Sequence, residues 1–310
     1  MPLLILLLLL QIIWSSSFVA MKFALGDMPV GLVMILRYGI ASLCFFLFGA
    51  YRGFHSFSKK TWLLVLMVGV ITFSLSPFCQ LKSLMLTQVI DVSVLVSMEP
   101  LITALMASLI LKERIGWDLL FVFLVSATGV LILSGITWEG LSGPMTLARL
   151  FGNLLFLAAL GCEAIYSTTG RYLSQREDPL KVAAWMHLAG FLVNLLIYSP
   201  TLREIPSFTE AKSSWTALLF LAIFCSFIGY AGWYLLLKKI PASRLALSLF
   251  LQPVIGSLTG YLLLNERFTK QTAIGASLIV FTLLSWILMN YKFRKEEKVA
   301  TDSLTTRCNN

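Results

Sequence analysis

Residues 98–114 read MEPLITALMASLILKER, and residues 251–267 read LQPVIGSLTGYLLLNER. The two stretches align at an offset of 153. Over residues 99–114, seven of sixteen positions are identical: Pro100, Ile102, Leu105, Leu109, Leu111, Glu113 and Arg114. Leucines coincide easily in apolar sequence. A proline followed thirteen residues later by Glu-Arg does not. Each copy is an apolar run that opens near a buried-type proline and stops at charge, with the length of one membrane crossing. Working outward, Trp62 falls on Trp215 at the same offset, and Pro29 pairs with Pro179 at a slightly different one. The chain is therefore read as two related halves.

Composition names the solvent. Of 310 residues, 58% are hydrophobic and 13% charged, and the mean hydropathy is +0.86. Ordinary soluble domains carry roughly 25% charge. So little polar sequence cannot cover the apolar surface in water. A helix rises 1.5 Å per residue, so a hydrocarbon core of about 30 Å needs about 20 residues. Spans are read near 3–25, 29–49, 61–82, 88–111, 116–136, 149–172, 179–200, 213–237, 241–264 and 269–291. The fold class is an all-α membrane protein of ten transmembrane helices, arranged as two inverted five-helix repeats. Residues 1–136 form the first repeat, 137–148 a linker, 149–291 the second repeat, and 292–310 a basic cytoplasmic tail. The first apolar run lacks a basic n-region and continues through Trp14 and Phe18, so it is read as a retained helix rather than a signal peptide.

An odd number of spans per half makes the second half enter the bilayer from the opposite side. Inverted repeats of this kind are typical of secondary transporters, with the substrate site near the midplane between them. Orientation follows from Lys and Arg. One set of connections, with the tail, holds fifteen of them, among them Lys59, Lys60, Lys112, Lys238, Lys239 and Arg294. The other side holds Arg149, Arg203, Lys212, Arg267 and Lys270, with Lys82 nearby. This bias puts both termini in the cytoplasm, and the cell (inner) membrane is the expected location. The same placement excludes nucleic acid as the partner of the net charge of +9. Four of the five cysteines lie inside apolar runs without zinc-type spacing, so neither a metal nor a cofactor is expected.

Several polar residues fall inside the spans. Glu99 is a charge in mid-span. It either lines a polar cavity, where it could carry protons, or hydrogen-bonds as a neutral carboxyl to another helix. Its repeat mate is Gln252. Pro100 and Pro253 each lack an N–H and free a carbonyl one turn back, at Val96 and Leu249, so they are read as paired helix kinks. Arg37 cannot shed its proton. It receives a substrate carboxylate, neutralises Glu99 or Glu163, or snorkels to the interface. His187, at the corresponding place in the seventh span, is a hydrogen-bonded packing residue or a proton carrier. Gln80, in the third span, is a further cavity candidate. Glu163 and Tyr166 share a helix face, as do Ser226, Tyr230 and Trp233, and Trp14, Ser17 and Phe18. Such stripes suit a mostly apolar cavity with a few orienting hydrogen bonds, or alternatively packing. Gly256 and Gly260, four apart, predict close helix approach. Glu113-Arg114 and Glu266-Arg267 read as interfacial ion pairs that end helices, with a gating role as the alternative.

Together these motifs resemble the EamA family of the drug/metabolite transporter superfamily. The resemblance rests on Trp14 to Lys22 (WSSSFVAMK), Arg37-Tyr38 after Pro29, Met98-Glu99-Pro100, LKER at 111–114, Gln252-Pro253 and LNER at 264–267, and it covers residues 5 to 290. It implies a ten-helix transporter of small metabolites, often an exporter of amino acids or related compounds. The expected function is therefore alternating-access secondary transport. Importers or facilitators of nucleotide-like or cationic metabolites remain open, as does a gated channel. No Walker-type loop points to ATP drive, and no His-Glu-x-x-His or Gly-x-Ser-x-Gly motif points to an intramembrane enzyme. The expected partners are a small-molecule substrate and the lipid bilayer, with proton coupling through Glu99 or Glu163 conceivable. Oligomeric state is not legible.

Overall fold

The computed structural model describes residues 2–49, 57–99, 101–102, 117–133, 144–174, 176–239, 248–249, 252–282 and 284–285. Among them there is helix and no strand. That is the expected result for backbone in lipid, where every N–H and C=O must be satisfied within its own segment. We number the helices α1 (Pro2–Asp27), α2 (Val30–Gly49), α3 (Lys59–Leu86), α4 (Val89–Met98), α5 (Trp117–Leu133), α6 (Pro144–Ser174), α7 (Pro179–Tyr198), α8 (Lys212–Lys239) and α9 (Gln252–Leu264). Residues 270–282 are also helical. Among the described residues, six segments are long and apolar enough to cross a bilayer: Ile5–Asp27, Val30–Gly49, Lys59–Leu86, Leu147–Gly170, Pro179–Glu204 and Lys212–Leu236. Val89–Met98 and Val254–Leu264 are shorter apolar helices within the described residues.

Local chemistry sets several boundaries. The Ser58 hydroxyl accepts from the Thr61 N–H at 3.2 Å and starts α3. Asp178 accepts from the N–H groups of Leu180 and Lys181 and starts α7, with Pro179 in the first turn where its missing N–H costs nothing. The chain leaves α9 through Asn265 at φ 53°, a left-handed conformation that Asn tolerates better than most residues.

Two helices are not regular. α3 widens to a π-helix at Ile71–Leu75, and α8 does so at Leu221–Ile228. A π segment spoils the ordinary ladder and leaves carbonyls in need of donors. Asn194 on α7 donates to the Phe73 carbonyl at 2.9 Å. Trp14 on α1 donates from Nε1 to the Cys225 carbonyl at 3.1 Å. Each irregular turn is thus pinned by a side chain from the other half of the chain.

The halves pack into each other rather than side by side. α2 lies against α7, α4 against α9, the second part of α3 against α6, and α1 against α8 and α9. Glycine brings α3 and α7 close as well. A Cβ on Gly69 would sit 2.6 Å from the Met186 carbonyl oxygen, and one on Gly190 would sit 2.4 Å from Phe73 Cβ, so α3 and α7 meet backbone to backbone. The close approach expected at Gly256 and Gly260 is with α4. Gly256 faces Ser93, and Gly260 faces Val89 and Ile90.

Candidate functional site

The polar groups are clustered. A cavity of about 90 Å³ opens between the halves, and both contribute to its walls. Trp14, Ser17 and Phe18 come from α1, Arg37 from α2, Gln80 from α3, and Glu99 from just past α4. The second half supplies Glu163 and Tyr166 from α6, Tyr230 and Trp233 from α8, and Gln252 from α9. Phe156 and Leu160 complete an apolar stretch of wall that the sequence reading did not single out. They are ordinary core-type residues, and no pattern in the sequence separates them from lipid-facing ones.

The π turns feed this cavity. Ser226, inside the α8 π segment, accepts from Arg37 Nε at 2.8 Å. Ser76, directly after the α3 π segment, donates to Glu163 Oε1 at 2.8 Å and accepts from Gln80 Nε2 at 3.2 Å. One serine therefore steadies the cation, and another steadies a carboxylate. Arg37 is 5% exposed, so it does not snorkel to the interface. Its NH1 is buried without a hydrogen-bond partner among the described residues. A guanidinium carries five donors, so this one retains capacity for a ligand. Glu99 is half-buried on the wall.

Behind the wall residue Gln252 runs a short chain of hydrogen bonds. Gln252 donates from Nε2 to Gln11 Oε1 at 2.7 Å, and Gln11 donates to the Ser248 hydroxyl at 2.8 Å. Gln11 was not anticipated, because an isolated amide in a leucine run carries no periodic signal. The aromatic wall is edge-to-face: Trp14 meets Tyr230 at 5.8 Å and Trp233 at 5.2 Å, and Tyr166 meets Tyr230 at 5.4 Å.

His187 stands apart from the other candidates. It is fully buried behind the wall, its Nδ1–H donates to the Ala183 carbonyl at 2.8 Å, and its ring stacks on Phe73 at 3.8 Å. As a cavity candidate it is corrected to a packing position, because it is not among the lining residues and its ring lies against Phe45, Phe73 and Tyr230. Pro100 lies outside the described residues. The backbone tightens to a 3₁₀ turn at Val96–Met98, just ahead of it, and residues 248–249 do the same ahead of Pro253. Both turns fall where a proline removes an N–H.

The second Glu-Arg pair is also corrected. Glu266 does not act as half of a surface pair with its neighbour. Asn265 turns it inward, where it accepts from Lys22 Nζ at 3.0 Å and from the N–H groups of Val89 and Ile90 at 2.9 and 3.0 Å. Arg267 stays exposed. The two N–H groups belong to the first turn of α4 and have no intrahelical acceptor, so a carboxylate there meets real unsatisfied donors.

Comparison with known proteins agrees with this architecture. The family model of the EamA-like transporter family matches residues 1–135 and again 150–290. An uncharacterized transporter of Archaeoglobus fulgidus is 25% identical over 86% of this chain and 92% of its own. The uncharacterized transporter YetK of Bacillus subtilis is 28% identical over 86% and 81%. A crystal structure at 20% identity shares the fold with a TM-score of 0.62, covering 94% of this chain and 98% of that one.

Proposed function

Because the chain belongs to the EamA-like transporter family, we propose that it is a secondary transporter that exports amino acids or related small zwitterions by alternating access. The observation that carries this reading is the cavity at the seam, where a buried cation with a donor unpartnered among the described residues and two carboxylates share one apolar, aromatic-walled space. Charge in a membrane interior is costly unless it serves a pathway or a ligand. Arg37 would take a substrate carboxylate, Glu163 or Glu99 its ammonium group, and the aromatic wall its apolar body. Glu99 and Glu163 are also the groups that would carry proton coupling. Import of the same compounds is the alternative direction.

Several features support ten helices in two inverted repeats, divided at residues 136 and 149. The offset of 153 lays the α3 π segment, 71–75, on residues 224–228 of the α8 one. Exchanging the halves turns the α3–α6 packing into the α8–α1 packing, and leaves the α2–α7 and α4–α9 pairs in place. A pseudo-two-fold axis in the membrane plane produces that pattern. Lys and Arg placement supports cytoplasmic termini and the inner membrane.

The test is uptake and counterflow in proteoliposomes against a metabolite panel, with Glu99→Gln and Arg37→Ala beside the wild type. Transport by the wild type and its loss in both variants is the expected result. Variants that transport like the wild type refute the site. Chemical turnover without transport refutes the function and favours an intramembrane enzyme, whereas single-channel currents favour a pore.

A further inference from the structure

A second polar cluster joins the halves away from the cavity. Glu266 holds Lys22 of α1 and the N-terminus of α4. Arg149, at the start of α6, donates from Nε to Asp91 Oδ2 at 2.5 Å and from NH2 to Asp91 Oδ1 at 2.6 Å. Arg149 NH2 also reaches the Thr272 hydroxyl at 3.4 Å. Thr87 donates to Asp91 Oδ2 at 2.8 Å and sits 2.7 Å from the side-chain amide of Asn153. Lys22, Thr87, Asp91, Val89 and Ile90 belong to the first half, and Arg149, Asn153, Glu266 and Thr272 to the second. Apart from the Thr87–Asp91 and Arg149–Thr272 bonds, every contact crosses the seam.

The positions share one side of the cavity. Lys22 lies five residues beyond Ser17, and Asp91 lies eight before Glu99. Arg149 lies fourteen before Glu163, and Glu266 fourteen beyond Gln252. At 1.5 Å per residue these offsets are about 8 to 21 Å along helices that alternate in direction, so all four lead to the same face. The acidic members are buried, whereas the Lys22 and Arg149 side chains are 25% and 21% exposed. Asp91 and Thr272 are fully buried and Glu266 is 8% exposed.

We propose that these residues form the gate that closes the cavity toward this face. A permanent seam would be as stable, or more so, with apolar residues of similar volume, because buried ion pairs scarcely repay their desolvation. A seam that must part into water is different. Separated carboxylates and guanidinium regain hydration, whereas separated apolar faces would be left exposed. The small residues Gly256 and Gly260 let α9 lie directly on α4, so the two can part as one sliding contact. The proposal rests on the alternating-access reading, with the structure representing the state closed on the Lys22 side.

The test needs no substrate. In a cysteine-free background, Gln80→Cys places a single thiol on the cavity wall. A membrane-impermeant thiol reagent is then added from the Lys22 side. Labelling is expected to be slow in this parent. It should be about tenfold faster when Asp91→Asn and Arg149→Gln are added, the shift expected from losing one charge-assisted contact of the closed state. Equal rates in the two proteins overturn the gate. A second arm covers misfolding of the gate variant. Lys22→Cys and Glu266→Cys, bridged by a thiol crosslinker matching the span of the original pair before Gln80→Cys is unmasked, should suppress labelling from this face and leave labelling from the opposite face unchanged. Unimpeded labelling from the Lys22 side after crosslinking also overturns the proposal. Gated labelling beside an absence of counterflow in the wild-type protein refutes the transport reading and not the gate. Counterflow by the wild-type protein with ungated labelling refutes the gate alone.

Discussion

Replacing Arg149 with glutamine should destabilise the protein more than replacing Arg149 and Asp91 together. The structure gives the reason. Asp91 is fully buried, and its two oxygens receive two short charge-assisted bonds from one guanidinium. In Arg149→Gln the Thr87 hydroxyl remains, but one neutral donor cannot compensate a buried carboxylate. Breaking such a pair from one side costs about 3–5 kcal/mol. At about 2 °C per kcal/mol for a chain of this length, the melting temperature should fall by roughly 6–10 °C. Adding Asp91→Asn removes the stranded charge and leaves two amides able to hydrogen-bond each other. The double variant should recover at least half of the loss. The assay is thermal unfolding of purified protein in detergent, with Asp91→Asn alone completing a double-mutant cycle. If Arg149→Gln melts within a degree or two of the wild type, Asp91 is not sealed from water as the structure shows. If the double variant melts as low as the single one, the loss comes from packing and the electrostatic reasoning is wrong.

Asn194→Leu should cost about 1–3 kcal/mol, because it leaves the Phe73 carbonyl of the π turn without its donor; hydrogen exchange should report faster opening around residues 71–75, and unchanged exchange would refute the pinning. Gly190→Ala should destabilise by about 1–3 kcal/mol, since the new Cβ meets Phe73 Cβ at 2.4 Å and its backbone behind it; a neutral effect on melting would show that α3 and α7 are not in close contact. Glu266→Ala should unseat both the Val89 and Ile90 N–H groups at about 1–3 kcal/mol each, and Glu266→Gln should lose less because its amide oxygen still accepts; equal melting temperatures for the two would refute the capping role. Ser226→Ala should raise the substrate KM in counterflow by severalfold with little change in melting, because it frees the Arg37 guanidinium to swing; an unchanged KM would remove Arg37 from substrate positioning.

Much of the helical architecture was legible before any coordinate. The reading of 61–82 became Lys59–Leu86, 179–200 became Pro179–Glu204, and 213–237 became Lys212–Leu236. Hydrocarbon thickness and backbone satisfaction act on consecutive residues, so the sequence carries them directly. Polar residues inside spans were legible as a set for the same reason: they are conspicuous against leucine. Where they would meet was less so. Arg37, Gln80, Glu99, Glu163 and Gln252 come together around one cavity, but His187, equally polar and equally deep, turns to Phe73 instead. The two π turns left no trace in the hydropathy pattern, because widening one turn by a residue does not change which residues are apolar.

Composition, run length and the repeat at offset 153 were enough to read a membrane-embedded helical protein in two related halves; the family came from the motifs that resemble it and from the match over residues 1–135 and 150–290. Those properties are sums over neighbouring residues, and the sequence states neighbours explicitly. The partners were decided only by the tertiary structure. Asp91 finds Arg149 58 residues away, Arg37 finds Ser226 at a separation of 189, and Lys22 finds Glu266 at 244. Such pairs depend on how α4 lies on α9 and how far a single Asn265 turns the chain, and neither is set by the residues nearby.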